Sequence, residues 1–154
     1  MYLTIAAALA LTAQTSPANQ GAPIASNLEY SMPVEGGWAY SATAAGSETV
    51  FSNAGGTPQM TIRCTRSNRR IALIKPASSA SPTMWVWTSS QQKNLPATYD
   101  STTANVTAEL GAYDALLDAI ASSRGRIGFS TSGVAALVVP PWAEVGRVIE
   151  DCRV

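Results

Sequence analysis

The fold of this chain is decided by residues 60–74, which read MTIRCTRSNRRIALI. Met60, Ile62 and Cys64 alternate with polar residues, and that period of two is typical of a strand with one buried face. Residues 66–68 have the composition of a turn, and the apolar run after them predicts a partner strand over 70–74. The stretch therefore predicts an antiparallel hairpin whose inner face carries Cys64.

The second cysteine lies close to the C-terminus, on the apolar face of a predicted helix. Val145, Val148, Ile149 and Cys152 follow the i, i+3, i+4, i+7 spacing of an amphipathic helix. Cys152 then faces the core, toward which Cys64 also points, and we expect a long-range disulfide between them. Two buried, reduced thiols are the alternative. A metal site is not expected, because two thiolates would need two further ligands and the chain has no histidine.

The remaining elements are predicted in the same way, from the spacing of apolar residues along the chain. Tyr113, Leu116, Leu117 and Ile120 predict a helix, which Gly125 ends. Strands are expected near 38–40, 49–51, 84–88, 106–110, 127–129 and 134–139, whereas 93–101 has mostly loop composition. The last strand is almost wholly apolar, so we expect it to be central or covered on both faces. This order predicts an α+β fold: an antiparallel β-sheet or small β-sandwich packed by two α-helices, the C-terminal helix tied by the disulfide.

The N-terminal segment has the character of an export signal. Residues 3–11 are apolar and uncharged and small residues follow them, so residues 1–13 are predicted to be a signal peptide, although no Lys or Arg precedes the apolar run. An ordinary N-terminal strand or helix is the alternative. Residues 14–35 are polar and predict a flexible N-terminal arm, and residues 36–154 a single α+β domain. No other segment approaches the length of a membrane span, so no transmembrane segment is expected in the mature chain.

Charge and composition exclude several partners and chemistries. The 154 residues carry 10 basic and 10 acidic side chains, and a net charge of zero gives no general attraction to nucleic acid. Because the chain has no histidine, triads and dyads that depend on it cannot be built. We therefore expect no catalytic residues, no cofactor and no metal.

Two short patterns have a catalytic interpretation that the sequence does not favour. Ser90 and Lys93 match the S-x-x-K string of penicillin-binding proteins, but the S-D-N and K-T-G elements of that chemistry are missing. Asp114 and Asp118 lie one turn apart on the predicted helix, and we interpret them as solvating charge rather than as a catalytic pair.

Two other groups of side chains are candidates for binding. Arginines cluster around the predicted hairpin turn; we favour a solvated hairpin end, with an anion-binding or partner-binding tip as the functional alternative, and the four are Arg63, Arg66, Arg69 and Arg70. Arg124 and Arg126 extend this patch if the fold brings them close. Trp85 and Trp87 fall on one face of their strand and are expected to fill the core, with a stacking platform for sugar or peptide as the alternative.

The segment from Trp38 to Cys152 resembles a broad group of small exported proteobacterial proteins. The likeness rests on Trp38, on the strand that ends Ile62-Arg63-Cys64, and on a late hairpin leading into the helix that ends at Cys152. The layout is similar to the invasion-associated locus B family and to accessory proteins of type VI secretion. Residues 123–126 and 141–153 are similar to uncharacterised small exported alphaproteobacterial proteins. The resemblance implies an exported, disulfide-bonded, β-rich domain and carries over no catalytic residue.

The expected function is therefore that of a periplasmic or secreted, non-catalytic protein that binds or supports an unknown envelope protein or polymer. An inhibitor of a cell-wall hydrolase such as lysozyme is the alternative, because small disulfide-bonded envelope proteins often have that role. A histidine-free hydrolase built around Ser90 and Lys93 is the third class.

Overall fold

A computed structural model describes residues 30–154 and confirms the α+β class, with two antiparallel sheets and two helices. The strands are β1 Gly36–Thr43, β2 Gly46–Asn53, β3 Pro58–Thr65, β4 Arg70–Pro76, β5 Thr83–Trp87, β6 Gln92–Pro96, β7 Thr98–Asp100, β8 Asn105–Gly111, β9 Ile127–Thr131 and β10 Leu137–Val139. The helices are α1 Ala115–Ala121 and α2 Ala143–Asp151. Among residues 30–154, no helix has both the length and the apolar character needed to span a bilayer.

The strands form one large and one small sheet. The six-stranded sheet has the order β1-β2-β3-β4-β8-β7, and the four-stranded sheet has the order β10-β9-β5-β6. The predicted hairpin is confirmed as β3 and β4, with Cys64 opposite Ile71. The chain leaves the large sheet after β4, starts the small sheet with β5 and β6, and returns through β7 and β8.

The inner face of the large sheet is covered by two different layers. Helix α2 packs on β1, β2 and β3, while β5 and β6 of the small sheet approach β8. Trp38, Phe51 and Met60 lie side by side across β1, β2 and β3 and are buried. The Trp38 and Phe51 rings meet edge to face with centroids 5.4 Å apart, a favourable geometry for an aromatic pair. One apolar core therefore joins both sheets and both helices.

Helix α2 is held on the sheet by its apolar stripe and by a covalent bond. Val145, Val148 and Ile149 are buried, as the helical spacing predicts. Directly after the helix, Cys152 is disulfide-bonded to Cys64 of β3, with a Cα–Cα distance of 5.5 Å. The predicted disulfide is confirmed, and it ties positions 88 residues apart in the chain.

Helix α1 is shorter than its apolar pattern predicts. It begins at Ala115, and Asp114 is its N-cap, where the carboxylate accepts a hydrogen bond from the main-chain N–H of Leu116. Tyr113 precedes the cap and is exposed, so its predicted place on the buried stripe is wrong. Its hydroxyl instead donates to the main-chain oxygen of Arg153. An aspartate cap satisfies an orphan amide of the first turn, and so sets the helix start.

Two strand expectations are also corrected. The predicted loop at 93–101 contains β6 and β7, which lie at sheet edges where polar, exposed side chains are tolerated. The predicted strand 134–139 is ordered as a strand only over β10, which lies at an edge of the small sheet. Its side chains are buried on both faces, so of the two expected alternatives, a central position or cover on both faces, the second is confirmed. Its main chain accepts a hydrogen bond from Val34, at 2.8 Å to the Val138 oxygen.

Candidate functional site

The outward face of the small sheet carries the tryptophan pair. Strand alternation places Met84, Val86 and Leu95 in the core, so the neighbouring positions point away from it. The outward positions hold only uncharged side chains, which are Thr83, Trp85, Trp87, Gln92, Asn94, Pro96, Gly128, Ser130 and Val138. We call this surface the tryptophan face.

Trp87 is the buried anchor of the tryptophan face. Its cross-strand neighbour on β9 is Gly128, which in turn pairs with Val138 on β10. Because glycine has no side chain, the indole reaches Val138, and the two form a small apolar cluster outside the main core. Trp87 is 3% exposed, and its indole N–H has no hydrogen-bond partner among the described residues.

Trp85 is the exposed member of the pair. Its ring lies nearly parallel to that of Trp87, with an interplanar angle of 19° and centroids 5.8 Å apart. It is 36% exposed, and its cross-strand neighbours are Asn94 on β6 and Ser130 on β9. The prediction that both rings share one face is confirmed. The expectation that they fill the core is wrong for Trp85, and Trp87 is buried on the outer side of the sheet rather than in the main core.

The four arginines of the predicted hairpin tip lie in two different environments. On the outward face of the large sheet, Arg63 Nε lies 2.8 Å from a carboxylate oxygen of Glu48. On the same face, the Arg70 guanidinium lies 3.4 Å from Glu109. Each of these arginines therefore has a carboxylate partner within the sheet, which offsets its charge.

The turn itself holds the other two arginines of the cluster. Arg66 Nε donates to the main-chain oxygen of Asp151, at 3.2 Å. Arg69 has a φ of 52°, in the left-handed region, and its main-chain oxygen accepts a bond from Ala112. Within residues 30–154, the Arg69 guanidinium takes part in no recorded hydrogen bond or ion pair. Among residues 30–154, Arg69 is thus the arginine of the cluster without a charged or hydrogen-bonding partner for its side chain.

Arg124 lies in a different part of the fold from the hairpin turn. Its main-chain N–H donates to Ser89 Oγ at 2.8 Å, which places it beside the β5–β6 turn. Ser123 Oγ in the same loop accepts from the N–H of Ser89 and donates to the main-chain oxygen of Arg126. These serines fasten the loop after α1 to the small sheet. Arg124 is therefore anchored to the small sheet, whereas the hairpin turn belongs to the large sheet.

The side chains with a possible catalytic interpretation have structural contacts. Lys93 Nζ lies 2.9 Å from a carboxylate oxygen of Asp114, the residue that caps α1. Partial burial by itself raises the pKa of Asp114, but the Leu116 N–H and the Lys93 ammonium outweigh it, so the pKa lies below the usual range. Asp118 pairs with the Arg153 guanidinium at 2.7 Å. These charges fix α1 to its neighbours.

A polar cluster also fixes the end of α2 to β1. The Tyr40 hydroxyl donates to Asp151 Oδ2 at 2.8 Å, and the Arg147 guanidinium lies 3.8 Å from the centre of the Tyr40 ring. Partial burial by itself raises the pKa of Asp151, but the Tyr40 hydrogen bond and the charges of Arg66 and Arg147 outweigh it, so the pKa is lowered. These direct contacts, which involve the partly buried side chains of Tyr40 and Asp151, give the cluster a stabilising role.

Lys75 is the one lysine on the inner face of the large sheet in the described part of the chain. It occupies the last inward position of β4, opposite Val106, and is 4% exposed. Desolvation lowers the pKa of its amine. Among residues 30–154, no acidic side chain forms a recorded ion pair with it, and no group of three or more Cys, Asp or Glu residues is arranged to hold a metal ion.

No family model, curated protein or solved structure matches the chain. The candidate surfaces are therefore assigned from their geometry. Sequence reasoning found both tryptophans, but it missed the residues beside them. Gln92 and Asn94 lie on β6, the hairpin partner of β5, in a stretch with loop composition, whereas Ser130 and Val138 reach the tryptophan face through pairings between distant segments, which no local pattern indicates.

Proposed function

We propose that the protein is an exported, non-catalytic domain that binds another component of the cell envelope. The observation that carries the proposal is the disulfide between Cys64 and Cys152. Disulfides form and persist in oxidising compartments such as the periplasm and the extracellular space, and they are rare in the cytosol. Both cysteines are fully buried, which protects the bond from thiol exchange and is typical of a structural disulfide.

The contacts of the ionisable side chains support a binding role over a catalytic one. Lys93 and Asp114 form an ion pair that holds the start of α1, and Ser90 Oγ lies 3.5 Å from the Thr88 hydroxyl in a tight turn. A general base needs a position within reach of the proton that it abstracts. The amine of the S-x-x-K string is directed to a helix cap instead.

The hairpin turn is the contact that we assign to an acidic partner group. Arg63 and Arg70 are paired with carboxylates, whereas within residues 30–154 the Arg69 guanidinium has no ion-pair partner. Arg66 donates to the main-chain oxygen of Asp151, and its charge helps to lower the pKa of the Asp151 carboxyl. An exposed arginine can engage a carboxylate or phosphate through two parallel hydrogen bonds. The turn thus presents, in Arg69, a guanidinium without a carboxylate partner among residues 30–154.

The test is retention of the purified protein by isolated envelope fractions, measured by co-sedimentation with sacculi and with outer-membrane vesicles. Arg69→Gly removes the charge and suits the left-handed backbone at that position. Arg124→Ala, beside the β5–β6 turn, is the matched control. We expect retention of the unaltered chain and of the Arg124 variant, and a loss of about tenfold for the Arg69 variant, the order expected of one charge-assisted contact.

Two results would contradict this proposal. If no envelope fraction retains the protein, the binding role fails. If the Arg69 variant is retained as well as the unaltered chain, the assignment of the hairpin turn fails. Inhibition of lysozyme by the purified protein would instead support the second function, that of a hydrolase inhibitor.

A further inference from the structure

We infer that the tryptophan face is a binding site for an uncharged oligosaccharide, with the exposed Trp85 ring as the surface on which a sugar stacks. This face lies on the small sheet, separate from the hairpin turn of the large sheet. The inference therefore holds whether or not the turn binds an acidic partner.

The charge distribution selects the class of ligand. Every outward position of the small sheet is uncharged, whereas the outward face of the large sheet carries two arginine–carboxylate pairs. A charged ligand on the tryptophan face would lose hydration without gaining an opposite charge, which is unfavourable. A neutral ligand with many hydroxyl groups does not incur that cost.

The side chains around Trp85 supply the two kinds of contact that a sugar needs. A pyranose ring has an apolar C–H surface and a rim of hydroxyl groups. The exposed indole offers a flat apolar surface. Beside it, the Asn94 amide can both donate and accept hydrogen bonds, and so can the Ser130 hydroxyl, one on each neighbouring strand. Gln92 adds a second exposed amide next to Trp87.

The Trp85 ring is held in position before any ligand arrives. Strand β5 is central in the small sheet, between β9 and β6. The ring lies nearly parallel to that of Trp87, which is itself packed against Val138 through the gap left by Gly128. A ring fixed in this way loses little conformational entropy on binding, and rigid elements position a binding site more accurately than loops do.

The experiment measures binding of the full chain to two neutral probes, chitohexaose and cellohexaose, by isothermal titration calorimetry. A heparin hexasaccharide is the charged comparison. We expect at least one neutral probe to bind and heparin to bind more weakly. Trp85→Ala should weaken binding about tenfold or more, as loss of an aromatic anchor does. Asn94→Ala should weaken it several-fold, as expected for one hydrogen bond to a neutral group.

Two further variants make the result specific. Trp85→Tyr keeps an aromatic surface and should bind within a few-fold of the unaltered chain, so it separates loss of stacking from loss of fold. Trp142→Ala is the matched control, because Trp142 is 45% exposed but lies at the start of α2, against Gly37. It should bind as the unaltered chain does.

Three outcomes would overturn the inference. The first is the absence of binding to either neutral probe. The second is binding that Trp85→Ala leaves unchanged or that Trp142→Ala abolishes. The third is self-association, measured by analytical ultracentrifugation, that Trp85→Ala removes, because the tryptophan face would then be an interface between two copies of the chain. Failure of these tests leaves the envelope-binding proposal standing, since that proposal depends on retention by envelope fractions.

Discussion

Loss of the disulfide should weaken the fold more than any other single change. The bond joins positions 88 residues apart, and the chain-entropy relation gives about 4.6 kcal/mol for a closed loop of that length near room temperature. A domain of this size typically has a free energy of unfolding of about 5–15 kcal/mol. Replacing Cys64 and Cys152 together by alanine should therefore remove a third or more of the stability and lower Tm by roughly 15–25 °C.

The assay is urea denaturation of four samples: the unaltered chain and the double alanine variant, each with and without reductant. Reductant should destabilise the unaltered chain and leave the variant unchanged, which controls for other effects of the reagent. The slope of the unfolding free energy against urea should rise after reduction, because the unfolded chain becomes more extended. A loss of stability below about 1 kcal/mol would refute the reasoning, since the apolar stripe of α2 would then be sufficient to hold the helix.

Three smaller changes test other parts of the fold. Gly46→Ala should lower the free energy of unfolding by about 1–3 kcal/mol in chemical denaturation, because the new Cβ would lie 3.2 Å from the disulfide sulfur and closer still to a carbonyl oxygen. Gly111→Ala is the control, because its Cβ meets open space and the change should be near neutral. Lys75→Met should raise Tm at neutral pH. Burial lowers the pKa of the Lys75 amine, so protonation favours the unfolded chain, and the stability of the unaltered chain should rise as the pH approaches 10.5. A fall in Tm would mean that the ammonium group is stabilising. Tyr40→Phe should cost about 0.5–1.5 kcal/mol of unfolding free energy at neutral pH and should reduce the loss of stability on acidification. The lowered pKa of Asp151 stabilises the fold above the pKa of this carboxyl in the unfolded chain, and that contribution disappears as the pH falls through the folded value. Identical pH profiles for variant and parent would contradict this.

The elements with a strong period were predictable from sequence. The hairpin around residues 66–69 and the helix ending at Cys152 each place apolar side chains at regular spacing, and burial of one face requires that spacing. Because both patterns orient a cysteine toward the core, the disulfide followed from the same reasoning. Local sequence is therefore sufficient to predict a contact where the regular apolar spacing that marks the buried face also includes the reactive side chain, here a cysteine.

The edge strands could not be predicted in the same way. Strand β6 carries exposed polar residues and ends at Pro96, and β7 has only three residues. Their strand conformation is set by pairing with β5 and β8, so local propensity has little influence on it. Strand β10 is apolar although it lies at a sheet edge, because Trp87 covers its outer side and the main core covers its inner side.

Only part of the candidate site on the small sheet could be predicted from the sequence. Alternation shows that Trp85 and Trp87 share a face, but it does not show which face is buried. Which face of the strand is buried depends on Met84 and Val86, which pack in the main core, and on Gly128, which leaves room for an indole on the outer side. Since residues 85 and 128 are distant in sequence, only the assembled sheet reveals that one ring is exposed.

The most direct test of the account is the intact mass of the protein recovered from the periplasmic fraction of its native host, with and without reductant. Export and oxidation predict a chain that has lost its N-terminal segment and whose mass rises by about 2 Da on reduction, as one disulfide takes up two hydrogen atoms. A full-length protein found in the cytosol, with a mass that reductant does not change, would contradict export and the oxidised state together.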